Sequence, residues 1–172
     1  MRIGIYYSFM VASLLLYTGC STSVISQTAA SLPSVEQNSS ENHKSATISL
    51  FRLHNYTDTP RAGMRAANLA EGILLTKGYT IKSHINAKSV PFAKAQKLAQ
   101  DDHSDYFMYG GVSEWRYKTG IDGEPAVSLQ LSLYKTEDGS LVWSATGSDS
   151  DWGNGSIGTT AHDLLQEILI TQ

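Results

Sequence analysis

Cysteine is nearly missing from this chain of 172 residues: it has one, at position 20. A single cysteine excludes an intramolecular disulfide framework and any zinc site built on several thiolates. Basic excess is missing too. Lys and Arg number 13 against 16 Asp and Glu, a net charge of -3, so the charge that nonspecific nucleic-acid binding draws on is lacking and no nucleic-acid partner is expected. The five histidines (His43, His54, His84, His103 and His162) are scattered without an i, i+4 pair, which argues against a metal site. No Gly-x-Ser-x-Gly elbow occurs, and the glycine-rich stretch from Gly153 to Gly158 lacks the Lys-Ser/Thr of a phosphate loop.

The apolar run Ile3 to Tyr17 follows Arg2, the sole charge before Glu36. It is shorter than the roughly 20 residues that span a bilayer and reads as an export signal. The run ends in Leu16-Tyr17-Thr18-Gly19-Cys20, which resembles the lipobox of bacterial lipoproteins. That resemblance implies cleavage before Cys20 and a covalent lipid on its thiol, the only non-protein group expected; no cofactor is called for. Ser21 in place of Asp implies transport to the outer membrane, whose lipid would then hold the periplasmic-face anchor. Several acyl chains, at about 0.8 kcal/mol per buried methylene, make such an anchor permanent.

Residues 20–45 are therefore expected to be the lipidated cysteine and a flexible tether. They are dominated by Ser, Thr, Gln, Asn and Ala, and a coil of that length spans roughly 25 to 30 Å r.m.s.. Residues 46–172 suffice for one core and are too few for two. Ala46 to Leu53 reads as a strand. Thr59-Pro60 predicts an N-cap, followed by a helix with the stripe Ala66, Leu69, Ala70, Ile73 and Leu74 that ends at Lys77-Gly78. Tyr79 to Ser83 reads as a strand, and Ser89 and Pro91 open a helix to about Asp101. Two long runs follow, Asp105 to Tyr117 and Pro125 to Thr136, joined by Gly120-Ile121-Asp122-Gly123, a hairpin composition. In the second run Val127, Leu129, Leu131 and Leu133 alternate with Ser128, Gln130 and Ser132, one face buried and one polar. Leu141 to Gly147 forms a further strand, and a final helix from about Ser156 turns Ile157, Ala161, Leu164, Leu165, Ile168 and Leu169 inward. The order β-α-β-α-β-β-β-α predicts an α+β domain, with helices packed on a mixed β-sheet that ends in an antiparallel meander. One face of the meander is expected to stay open.

Residues 105 to 152 carry a specific likeness. Tyr109-Gly110-Gly111-Val112-Ser113-Glu114-Trp115-Arg116-Tyr117-Lys118, then Gly120 to Val127, then Leu141-Val142-Trp143-Ser144 resemble the PelC family of the Pel exopolysaccharide export apparatus. The resemblance implies a homo-oligomeric ring on the periplasmic side of the outer membrane. Such a ring works beside a β-barrel porin, and its acidic funnel guides a cationic, partly deacetylated amino-sugar polysaccharide outward.

Charge segregation bears on that expectation. Lys44 to Gln100 holds nine basic and two acidic residues, Asp101 to Gln172 three and twelve, so the halves carry +7 and -9. Complementary faces can close subunits head to tail into a ring, although charge runs are most often solvated faces. Asp122, Glu124, Asp149 and Asp151, in or beside turns, are the candidates for polymer guidance, with turn chemistry as their ordinary role. Arg116 and Lys118 are candidates for a subunit interface, or for exposed cross-strand pairing. Trp152, in a polar loop, suits a membrane or subunit contact, or folds back over the sheet edge. Trp115 and Trp143 are expected in the core.

A glycosidase needs two carboxylates about 5 to 9.5 Å apart, and Glu114 with Glu124 could be so placed across a hairpin. A short anchored domain offers no evident sugar cleft, however, and a non-enzyme is expected. Against the export subunit stands an outer-membrane lipoprotein that activates a peptidoglycan synthase, for which a 25-residue tether looks short.

Overall fold

Between Thr47 and Ile170 the elements fall in the expected order. The structure is a computed structural model that describes residues 24–28, 32–33, 45–119, 123–151 and 155–170. They form β1 (Val24–Thr28), β2 (Thr47–Phe51), β3 (His54–Asn55), α1 (Ala62–Thr76), β4 (Thr80–His84), α2 (Phe92–Asp101), β5 (Tyr106–Tyr117), β6 (Pro125–Lys135), β7 (Leu141–Ser150) and α3 (Ile157–Ile170). The sheet runs β1-β7-β6-β5-β2-β4, with the short β3 paired to β5. Strand β2 lies parallel to both β4 and β5, as two helical crossovers require. The meander β5-β6-β7 is antiparallel. A bulge between Val112 and Glu114 lets Val112 and Trp115 both face the core.

Helices α1 and α3 cover one face. Ala66, Ala70, Ile73 and Leu74 of α1 and Ala161, Leu164, Leu165, Ile168 and Leu169 of α3 are buried against Val127, Leu129, Leu131 and Leu133 of β6. Trp115 and Trp143 are in this core. Each fully buried Leu or Ile contributes about 1.5–3 kcal/mol. Helix α2 packs on the opposite face, where Ala95 and Ala99 meet Phe51 and Phe107, with Phe92, Tyr109 and Tyr134 partly buried beside them. It covers only that end of the sheet.

Two expectations need correction. The segment read as a tether is structured in part. Val24 to Thr28 pair antiparallel with Ser148 to Ser144 of β7, Leu32 is buried, and the Tyr79 hydroxyl donates to the Pro33 carbonyl at 2.5 Å. An unpaired β7 would expose a row of backbone donors and acceptors, and even a polar strand satisfies it. Thr59, in turn, does not cap α1. Its hydroxyl donates to the Trp115 carbonyl, and the residue before the helix is Arg61 at φ 64. The entry turn is instead held by Asn55, which accepts from the Thr57 N–H at 3.0 Å and donates to the Thr59 carbonyl at 2.8 Å.

Candidate functional site

Along β7 the helix-facing positions alternate Trp143, Ala145, Gly147, and the series places Asp149 next, beside α3. Asp163 and Glu167, four apart and exposed, lie on the same helix. The fold therefore gathers Asp149, Asp151, Asp163 and Glu167 at one end of the domain. Burial pushes the Asp149 carboxyl above its ordinary value. The negative charges of Asp151, Glu167 and Asp163 add to this, against a hydrogen bond from the Ser150 backbone. One oxygen of Asp149, Oδ1, is buried without a hydrogen-bond partner among the described residues. The Asp151 carboxylate lies so close to Gly155 that a Cβ there would sit 1.9 Å from Oδ2.

Of the residues singled out in sequence, Asp149 and Asp151 thus come together, and Asp163 and Glu167 join them. The latter two were missed because they read as the polar face of an amphipathic helix; their i, i+4 spacing next to a buried acidic strand end is the signal that was available. Glu124 is engaged elsewhere. It closes the β5–β6 hairpin, its carbonyl accepting from Lys118 N at 2.6 Å and its carboxylate 3.5 Å from Lys118 Nζ. Arg116 likewise pairs with Glu114 at 2.9 Å. Both pairs involve exposed cations and contribute at most about 1 kcal/mol each. Glu114 and Glu124 are therefore each tied to a cation of their own hairpin. Cys20, Asp122 and Trp152 lie outside the described residues.

A second polar cluster pins the sheet to α2. His84 Nε2 and Ser49 Oγ both lie 2.6 Å from Asp102 Oδ2, and Ser49 Oγ is 2.8 Å from Ser104 Oγ. Burial works against the Asp102 charge, but hydrogen bonds from Ser49 and His84, together with the charges of His84 and Lys82, hold its carboxyl below the ordinary range. Ser49 and His84 meet the same carboxylate oxygen, so this cluster lacks the nucleophile-to-base hydrogen bond of a catalytic triad. Among the described residues no three His, Cys, Asp or Glu side chains converge as metal ligands, and no helix is long and apolar enough to cross a membrane.

The described residues thus build an acidic strand-and-helix end on an α+β domain. No protein-family model matches the chain and no curated protein matches it, but solved structures do. The PelC dodecamer of Paraburkholderia phytofirmans is 31% identical, over 86% of this chain and 95% of that one, with a TM-score of 0.71. A dodecamer of a single-substitution variant of the same PelC matches at the same identity and TM-score. Lipoprotein GNA1162 of Neisseria meningitidis, at 20% identity and a TM-score of 0.51 over 72% of this chain and 97% of that one, shares the fold. The chain belongs to the PelC family.

Proposed function

We propose that this protein is a non-enzymatic lipoprotein subunit of an exopolysaccharide exporter, anchored to the outer membrane through Cys20. In this reading copies of the chain form a ring on the periplasmic side, next to a β-barrel porin, and the ring guides a cationic amino-sugar polymer into it. The observation that carries the reading is the identity to a dodecameric PelC over nearly all of that chain's length. The gathered carboxylates support it. Repeated around a ring, the patch of Asp149, Asp151, Asp163 and Glu167 sums its potential and lowers the free energy of a passing polycation. The charge contrast between the two halves of the chain supplies complementary faces for head-to-tail contact.

The test combines assembly and secretion. Full-length protein extracted in detergent is expected to run as a closed assembly of many subunits that loosens with salt. Neutralising the four carboxylates together is expected to cut polymer secretion more than any single change. Cys20→Ala is expected to release the protein from the outer membrane and lower secretion while the domain stays folded. A monomer at every concentration, with full secretion from the combined variant, would overturn the reading.

A further inference from the structure

The uncovered face of the meander is built as a cleft. Alternation sets Ser128, Gln130 and Ser132 of β6 and Ser144 and Thr146 of β7 on this face, opposite the buried Val127, Leu129, Leu131 and Leu133. Two adjoining hollows run along it and share Tyr56 and Ser113. One, of about 340 Å³, is lined by Tyr56, Tyr109, Gln130, Tyr134 and Thr146 among others. The other, of about 400 Å³, extends to Asp58, Glu114, Arg116 and Ser128.

Tyr56 forms the wall between them, and it is held there. Its backbone N–H donates to the Val112 carbonyl at 2.9 Å, directly after β3 pairs with β5. Its ring passes over Gly111, where a Cβ would approach ring atom Cε2 to 2.6 Å, so the absence of a side chain at 111 admits it. The His54 ring stacks behind it at 6.0 Å, and His54 Nε2 is 2.6 Å from the Tyr109 hydroxyl, which donates in turn to the Val90 carbonyl. Phe92 backs Tyr109 and Tyr134 edge-on. Tyr56 nonetheless remains 73% exposed. A large ring fixed in place, with its surface left to solvent beside an amide and a row of hydroxyls, is not serving the core.

A pyranose ring offers an apolar C–H face and a rim of hydroxyl or acetamido groups. An aromatic platform flanked by amide and hydroxyl side chains matches both. A protein interface also draws on Tyr and Arg, but its centre is depleted in Ser, Asp and Glu, which here supply Ser113, Ser128, Ser132, Asp58 and Glu114 of the lining. Among the described lining residues the aliphatic side chain is Leu129, and it is buried in the core below. The hollow beside Gln130 has no charged residue among the described residues of its lining, so it favours acetylated sugars over free amines, in contrast to the acidic patch beside α3; Asp58 and Glu114, the latter paired with Arg116, line the other hollow. The geometry points to a saccharide-binding cleft on the open sheet face, with Tyr56 stacking on a pyranose ring and Gln130 bonding its acetamido group. The choice of an amino-sugar chain as ligand rests on the export reading.

The probe is penta-N-acetylchitopentaose, titrated calorimetrically into full-length protein in detergent, with the fully deacetylated pentamer as contrast. The acetylated pentamer is expected to bind better. Tyr56→Ala is expected to weaken it about tenfold and Gln130→Ala about fivefold, with the melting midpoint and the mass of the assembly unchanged. Absence of binding at millimolar sugar, equal affinity in both variants, or preference for the deacetylated pentamer overturns the assignment. So does an assembly that falls apart in Tyr56→Ala, which would make the face a contact between copies. Failure of the export reading looks different: a deletion strain secretes polymer normally while the purified protein still binds the pentamer.

Discussion

The two halves of the sheet obey different rules. Around β2, β4 and the start of β5 helices lie on both faces, so Ile48 and Leu50 face α1 while Phe51 and Phe107 face α2. Ser49, fully buried there, is satisfied by Asp102 and Ser104. At β6 and β7 the helices lie on one side only. Leu129, Leu131 and Leu133 of β6 alternate with Ser128, Gln130 and Ser132, and the outward hydroxyls bond one another, Ser132 with Ser144 at 2.8 Å and Ser113 with Ser128 at 3.0 Å, while Gln130 stays exposed. A polar side chain in the covered half is thus an obligation, and in the open half it is available for binding.

The largest test of this contrast is Leu131→Ala, which opens a cavity beneath α3 and is expected to cost about 3 kcal/mol in denaturant unfolding. A cost below about 1 kcal/mol would mean that the one-sided half is loosely packed. Next comes Ser49→Ala, which removes a buried hydroxyl that donates to the half-buried Asp102 carboxylate and is expected to cost about 1–2 kcal/mol, whereas Ser128→Ala on the open face should stay within about 0.5 kcal/mol. Equal effects would erase the distinction between the halves. The Ser49 effect carries a pH signature. A carboxyl held below its ordinary value of 3.8 contributes stability above that pH and loses it as the pH falls through the folded value, so the Ser49→Ala penalty should shrink in acid.

Asp149 gives the smallest effect and the opposite sign. Its carboxyl is pushed up, so in the folded protein it binds a proton more readily than when unfolded, and its charge costs stability once the pH exceeds the raised value. Asp149→Asn is expected to stabilise by about 0.5 kcal/mol near neutral pH, allowing for solvent screening. That gain should vanish by about pH 3.8, the ordinary carboxyl value. A destabilised Asp149→Asn would mean that the buried Oδ1 has a partner that prizes its charge.

Much of the fold was legible from local signals. The runs Asp105 to Tyr117 and Pro125 to Thr136 correspond within a residue to β5 and β6, because long β-branched and aromatic stretches ending in turn residues leave few alternatives. Lys77-Gly78 closes α1 as read, with Gly78 at φ 89. Strand β1 was not legible. Its five residues, Val-Ile-Ser-Gln-Thr, show no alternation of apolar and polar residues in sequence, and they become a strand only because β7 offers an edge. Neither was β3, two residues long, although it sets Tyr56 in place. Of the acidic cluster, Asp149 and Asp151 stood out in sequence by their position near a turn and Asp163 and Glu167 did not, and Glu124 pairs with Lys118.

Periodicity, turn residues and the likeness of residues 105 to 152 to a known family are properties of neighbours along the chain, and they sufficed for the order of the elements other than β1 and β3, the inward faces and the family. Distances between segments are another matter. Four carboxylates from a strand end and a helix come near one another because α3 folds back along β7, and a tyrosine stands over a glycine 55 positions away because β3 lies against β5. Such encounters depend on how the layers pack, and packing is settled by the summed burial of all the elements at once rather than by any one stretch of residues.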